Sequence, residues 1–278
     1  TLYQANTTGN ELWKSDGTTS GTVMVKDIFP GPYQNSSTPT SLKAVGNTLY
    51  FDANDGTNGR ELWKSDGTAS GTVMVKDINS GSSDGMVFWS NGATSIGNTL
   101  YFTADDGTNG RELWKSDGTS SGTMMVKNIN SSGGAFSGYS TIKSSGNTLY
   151  FSADDGTNGR ELWKSDGTSS GTVMVKDINS SGNALNDMHA ATITFLGNNV
   201  YFHADDGTNG FELWKSDGTA SGTEMVENIG PGSASGSVTA ASGNLGVVGN
   251  IVYLIPDDGT NGRELWTLSG GSGSGSTT

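Results

Sequence analysis

Two side-chain groups recur along the chain at spacings that could support chemistry. The acids Asp105-Asp106, Asp154-Asp155, Asp205-Asp206 and Asp257-Asp258, with Asn54-Asp55 in the same place, each open the phrase Asp-Gly-Thr-Asn-Gly. Carboxylate and carbonyl oxygens gathered by a tight loop are the ligands Ca²⁺ takes. Asp55 and both acids of the four pairs are therefore the candidate calcium ligands, and calcium is the one cofactor the sequence suggests. Their spacing departs from an EF-hand loop, which sets acids at alternate positions before its glycine. Asp before Gly also serves a conformational purpose, since its side chain accepts backbone N–H bonds and tolerates turn dihedrals. The turn reading is preferred.

The second group is the tryptophan of each Glu-Leu-Trp: Trp13, Trp63, Trp114, Trp163, Trp214 and Trp266. A flat indole suits a pyranose ring, and equivalent repeated sites raise avidity, so a multivalent glycan-binding lectin is one reading. The other is that a large aromatic at a fixed mid-strand position fills space between packed sheets. Packing is preferred here too. Material for catalysis is thin: His189 and His203 are the only histidines, there is no cysteine, and no nucleophile elbow, phosphate loop or zinc signature occurs. Asp84 and Asp187 are the main acids outside the repeated pattern. No enzyme activity is expected.

The elements that carry these residues follow from repetition. Asp105 to Thr123 returns letter for letter at Asp154 to Thr172, and the tryptophans recur about every fifty residues. That period signals a propeller, solenoid or array. Each unit offers four strand-like segments, in the second unit Thr40–Val45, Thr48–Ala53, Glu61–Ser65 and Val73–Ile78. Gly-Asn pairs such as Gly46-Asn47 and Gly97-Asn98 part the first two, where glycine at the first central position suits a type II′ hairpin. Runs such as Leu49-Tyr50-Phe51 are apolar at successive positions, so both faces of each sheet need cover. An all-β propeller of four-stranded antiparallel blades satisfies this. Six blades are expected, with five blades plus an extra hairpin as the alternative. Residues 1–269 are read as one propeller domain, and 270–278, rich in Gly and Ser, as a linker or tail.

Acidic residues outnumber basic ones 28 to 15, a formal charge of −13, which opposes binding to nucleic acid. No apolar run approaches the ~20 residues of a membrane helix, so no membrane insertion is expected. The acidic composition, rich in Asn, Gly, Ser and Thr, resembles that of secreted or cell-surface bacterial proteins. Thr1 enters in mid-pattern, as a mature product or a piece of a longer protein would.

The phrase Glu-Leu-Trp-Lys-Ser-Asp-Gly-Thr, followed by Gly-Thr and Val-Met-Val-Lys-Asp-Ile, resembles the ELWxxDGT repeats of large bacterial extracellular proteins. The resemblance covers nearly the whole chain and implies a propeller-like surface protein. It brings no catalytic residue and no ligand. At Thr267-Leu268-Ser269 the phrase breaks off.

Units differ from one another mainly in the connections between blades, which leave the sheets at the same end as the Asp-Asp loops. Met86, Phe88, Trp89, Phe136, Tyr139 and Met188 are the apolar residues there, and they are the candidate partner-binding residues. The expected function is a noncatalytic structural or adhesive module that binds protein subunits, itself included, with surface glycans as the alternative partner.

Overall fold

In a computed structural model, residues 9–31, 35–86, 92–137, 141–185, 193–230, 245–269 and 276–277 are described. The chain divides into two compact units, residues 1–134 and 135–278.

In the first unit β1 (Leu12–Lys14) pairs with β2 (Val23–Lys26). Then β3 (Thr40–Val45), β4 (Thr48–Asn54), β5 (Arg60–Ser65) and β6 (Val73–Lys76) form an antiparallel four-stranded sheet. A second is made by β7 (Ala93–Ile96), β8 (Thr99–Asp105), β9 (Arg111–Ser116) and β10 (Met124–Lys127). The second unit holds β11 (Ile142–Ser145), β12 (Thr148–Asp154), β13 (Arg160–Ser165) and β14 (Val173–Lys176) in one sheet. A further sheet is β15 (Thr194–Leu196), β16 (Asn199–Asp205), β17 (Phe211–Ser216) and β18 (Glu224–Glu227). The last is β19 (Gly246–Val248), β20 (Ile251–Leu254), β21 (Trp266–Ser269) and β22 (Ser276–Thr277). In each sheet the strands stand in sequence order, as short hairpin loops require.

The Gly-Asn turns behave as their chemistry dictates. Gly46 has φ +57° and the following Asn is not among the positive-φ residues, which is the type II′ signature. The turn fixes register: Val45 faces Thr48, and Phe51 then lies opposite Trp63.

Both faces of the second strands β4, β8, β12 and β16 are buried, as the apolar runs required. Along β8, Leu100, Tyr101, Phe102, Thr103 and Ala104 are all 7% exposed or less. Alternation sends Leu100, Phe102 and Ala104 to one face, where with Trp114 they pack on Tyr50, Leu62 and Val75 of the preceding sheet. The second unit repeats this, with Tyr150, Leu162 and Val175 against Val200, Phe202, Ala204 and Trp214.

In five of the six sheets the junction between the strand carrying Glu-Leu-Trp and the strand after it carries a bulge; β21 and β22 pair without one. The register slips between Leu62 and Trp63, which face Lys76 and Met74, so Val75 is the extra residue. The same slip occurs at Leu12/Trp13, Leu162/Trp163 and Leu213/Trp214, and between Met125 and Lys127. It turns Val75 into the core at 6% exposure.

One expectation changes. Within the segment read as a linker, Ser276 and Thr277 pair with Thr267 and Trp266, adding a fourth strand where the repeat had broken off. The outer edge of β21 carries unpaired N–H and C=O groups that any extended segment can satisfy, whatever its side chains.

Candidate interaction surface

The Asp-Asp loops are closed by their own carboxylates. Asp55 Oδ1 accepts from the N–H groups of Thr57 (2.9 Å) and Asn58 (2.8 Å), and Oδ2 from Asn58 Nδ2 (2.7 Å). Asp106, Asp155, Asp206 and Asp258 repeat the arrangement, while Asp105, Asp154, Asp205 and Asp257 each accept from the glycine N–H two residues on. Desolvation would raise the Asp55 carboxyl, but the bonds from Asn58 and Thr57 outweigh it and hold it below its ordinary value. This geometry is that of the turn reading. Among the described residues no His, Cys, Asp or Glu cluster of three or more is arranged to hold a metal ion.

A second acid, hidden in the sequence as one letter of a motif, organises the connections between sheets. Glu61, the first residue of Glu-Leu-Trp, is wholly buried, and so are Glu112, Glu161 and Glu212. Its Oε2 accepts from Ile78 N–H (2.8 Å), and its Oε1 from Asn79 (3.3 Å) and Gly85 (2.9 Å). The carboxylate thus holds the start of the connection leaving β6 to a point seven residues further along it. Glu161 grips Ile178 (3.0 Å) and Asn179 (3.3 Å) in the same way. Burial pushes Glu61 and Glu161 up to about 7 against the pull of these donors, and nearby Asp77 and Asp177 add to the rise. Gly85 then bridges two sheets, since its N–H donates to Arg60 O (3.1 Å) and its C=O accepts from Asp105 N–H (2.9 Å).

Asp84 secures the same connection, because its Oδ1 accepts from the Arg60 N–H at 2.7 Å. Arg60 itself lies at 5% exposure in an ion pair with Asp52 of its own sheet. Alternation puts both on one face, because Asn54 faces Arg60 and Asp52 faces Leu62.

Within each unit the rest of the repeated phrase ties neighbouring sheets together. Lys64 Nζ donates to Gly118 O (2.8 Å) and Lys164 Nζ to Gly218 O (2.7 Å). Lys76 Nζ donates to Thr123 O (2.8 Å) and stands 5.8 Å from the Trp114 ring centroid. Lys26 with Thr72 and Trp63, and Lys176 with Thr223 and Trp214, do the same at 6.0 and 5.7 Å from the rings. Trp63, Trp114, Trp163 and Trp214 are 5–6% exposed and offer no face to a sugar.

The last sheet departs from this pattern. Leu265 stands where Leu62, Leu113, Leu162 and Leu213 are buried, yet it is 51% exposed. Ile255 is 44% exposed and Val248 69%. Continuing the register of Leu254 with Trp266 sets Ile255 opposite Leu265, and the pleat puts Val248 on the same face.

Of the residues expected to bind a partner, Met86 and Phe136 are corrected to core positions. Met86 is 8% exposed among Tyr50, Leu62 and Phe102, carried inward by its own N–H bond to Arg60 O. Phe136 is 5% exposed, its ring 5.4 Å from that of Phe151. Phe88, Trp89, Tyr139 and Met188 lie outside the described residues. Sequence reasoning misses Leu265, Ile255 and Val248, although the broken phrase at Thr267 points to that sheet.

No family model matches the chain, and no curated protein matches it. Among solved structures it is similar to a puromycin hydrolase mutant complexed with PGG, at 15% identity and TM-score 0.50, over 98% of this chain and 42% of that one. It is also similar to prolyl oligopeptidase B from Galerina marginata bound to a 25mer macrocyclization substrate, at 11% identity and TM-score 0.52, over 98% and 40%. TolB from Acinetobacter baumannii is a third similar structure, at 12% identity and TM-score 0.46, over 85% and 53%. The first two likenesses show the fold: an all-β propeller of four-stranded antiparallel blades. The chain spans less than half the length of both proteins.

Proposed function

We propose that this propeller is a noncatalytic structural or adhesive module of the bacterial exterior, which binds another protein subunit through the apolar face of its last blade. The observation that carries the reading is the exposure of Leu265, at 51%, in a position buried in the preceding blades. With Ile255 and Val248 it makes an apolar face of the kind that marks protein contact sites. The acidic composition and the likeness of the repeated phrase to ELWxxDGT repeats support placement outside the cell.

The double change Ile255→Ser and Leu265→Ser tests this. Light scattering and surface-binding assays are expected to show loss of self-association or of partner capture, with the fold intact by circular dichroism. Unchanged association in the double variant would overturn the reading.

A further inference from the structure

We infer that the junction between the last two four-stranded sheets, β15–β18 and β19–β22, holds a seat for a lysine side chain of a partner protein, with Trp266 and Glu227 as its recognition pair. Three junctions within the units supply the pattern. In each, the lysine closing the fourth strand (Lys26, Lys76, Lys176) lies 5.7–6.0 Å from the tryptophan ring of the next blade. Its ammonium also donates to a threonine carbonyl of that blade at 2.8 Å.

In β18 the strand reads Glu224-Met225-Val226-Glu227, so a carboxylate stands where the ammonium belongs. The next blade has Thr267-Leu268-Ser269 after its tryptophan, without the turn that supplies the carbonyl. Trp266 is accordingly less buried than Trp63, Trp114 and Trp214.

The sheets do not close over this change. A groove remains, lined by Leu213, Val226, Glu227, Ile229, Leu254 and Trp266 among others. The nearby cation, Lys215, is engaged with Glu224 at 3.0 Å. Apolar walls suit the methylene stem of a lysine, the indole face attracts its ammonium, and the exposed Glu227 supplies the counter-charge. The site combines the ring that holds an internal lysine elsewhere with the opposite of that lysine's charge. A formal charge of −13 would steer a basic partner toward it.

The inference rests on the proposed partner-binding role and names the chemistry of that partner. It uses the opposite face of β21 from Leu265, so the two fail separately. The test is a titration of the whole chain with the peptide acetyl-Ala-Lys-Ala-Lys-Ala-amide, read from the Trp266 indole N–H resonance. Saturable shifts are expected, with affinity at least tenfold lower when norleucine replaces lysine. Glu227→Lys restores the residue of the other blades; it should raise the thermal midpoint and weaken peptide binding tenfold or more. For Trp266→Leu, binding is followed by calorimetry and should fall likewise. Equal affinity of the wild type and Glu227→Lys, or equal binding of the norleucine peptide, would overturn the inference.

Discussion

At the scale of single residues, the buried glutamates set how the protein responds to pH. Burial raises Glu61 and Glu161 from 4.5 to about 7, so between these values the folded protein holds protons that the unfolded chain has lost. Their contribution to stability is full below pH 4.5 and declines as pH rises toward 7. Asp55, Asp106, Asp155 and Asp206 are held below 3.8, so theirs is full above that value and declines as pH falls beneath it. Stability is therefore expected to be greatest near about pH 4–5. Urea midpoints measured from acid to neutral pH should show this maximum, and Glu61→Gln should make the decline toward neutrality shallower. The turn role of Asp55 was legible because it depends on residues two and three positions away. That of Glu61 was not, because a glutamate at a strand start reads as solvent-facing until another segment's N–H groups are brought to it.

At the scale of elements, the glycine of Ser-Asp-Gly-Thr does two things that can be separated. Gly67 and Gly118 share a left-handed backbone, φ +88° and +89°. A Cβ at Gly67 would meet nothing within 4 Å, whereas at Gly118 it would lie 2.5 Å from Tyr50 Oη. Gly67→Ala carries only the backbone strain. Gly118→Ala adds a collision between neighbouring sheets and is expected to cost about 1–3 kcal/mol more, measured as the difference between the two unfolding free energies. The strands themselves were legible, because Gly-Asn and Asp-Gly turns punctuate every hairpin locally. The inward course of Met86 and Phe136 was not, since backbone bonds to distant strands decide which way a connection carries its side chains.

For the whole molecule, stability should be uneven along the repeats. Within the units, lysine ties join neighbouring sheets at Lys64, Lys76, Lys164 and Lys176, and the repeated lysines give way to Glu224 and Glu227 in β18. Repeat architectures divide into such neighbour terms, so amide hydrogens of β20 and β21 are expected to exchange faster than those of β8 and β9. Mass-spectrometric exchange at peptide level would measure this; equal protection would count against it. The bulge that displaces one valine in every blade but the last has a consequence for life in a crowded milieu. Because the repeats are nearly interchangeable, an outermost strand with a straight edge would be an almost equally good template for the same strand of another molecule. The slip limits any such pairing to a few residues before the rungs fall out of step, so this protein's resistance to fibril growth is expected to rest on a kink repeated from blade to blade.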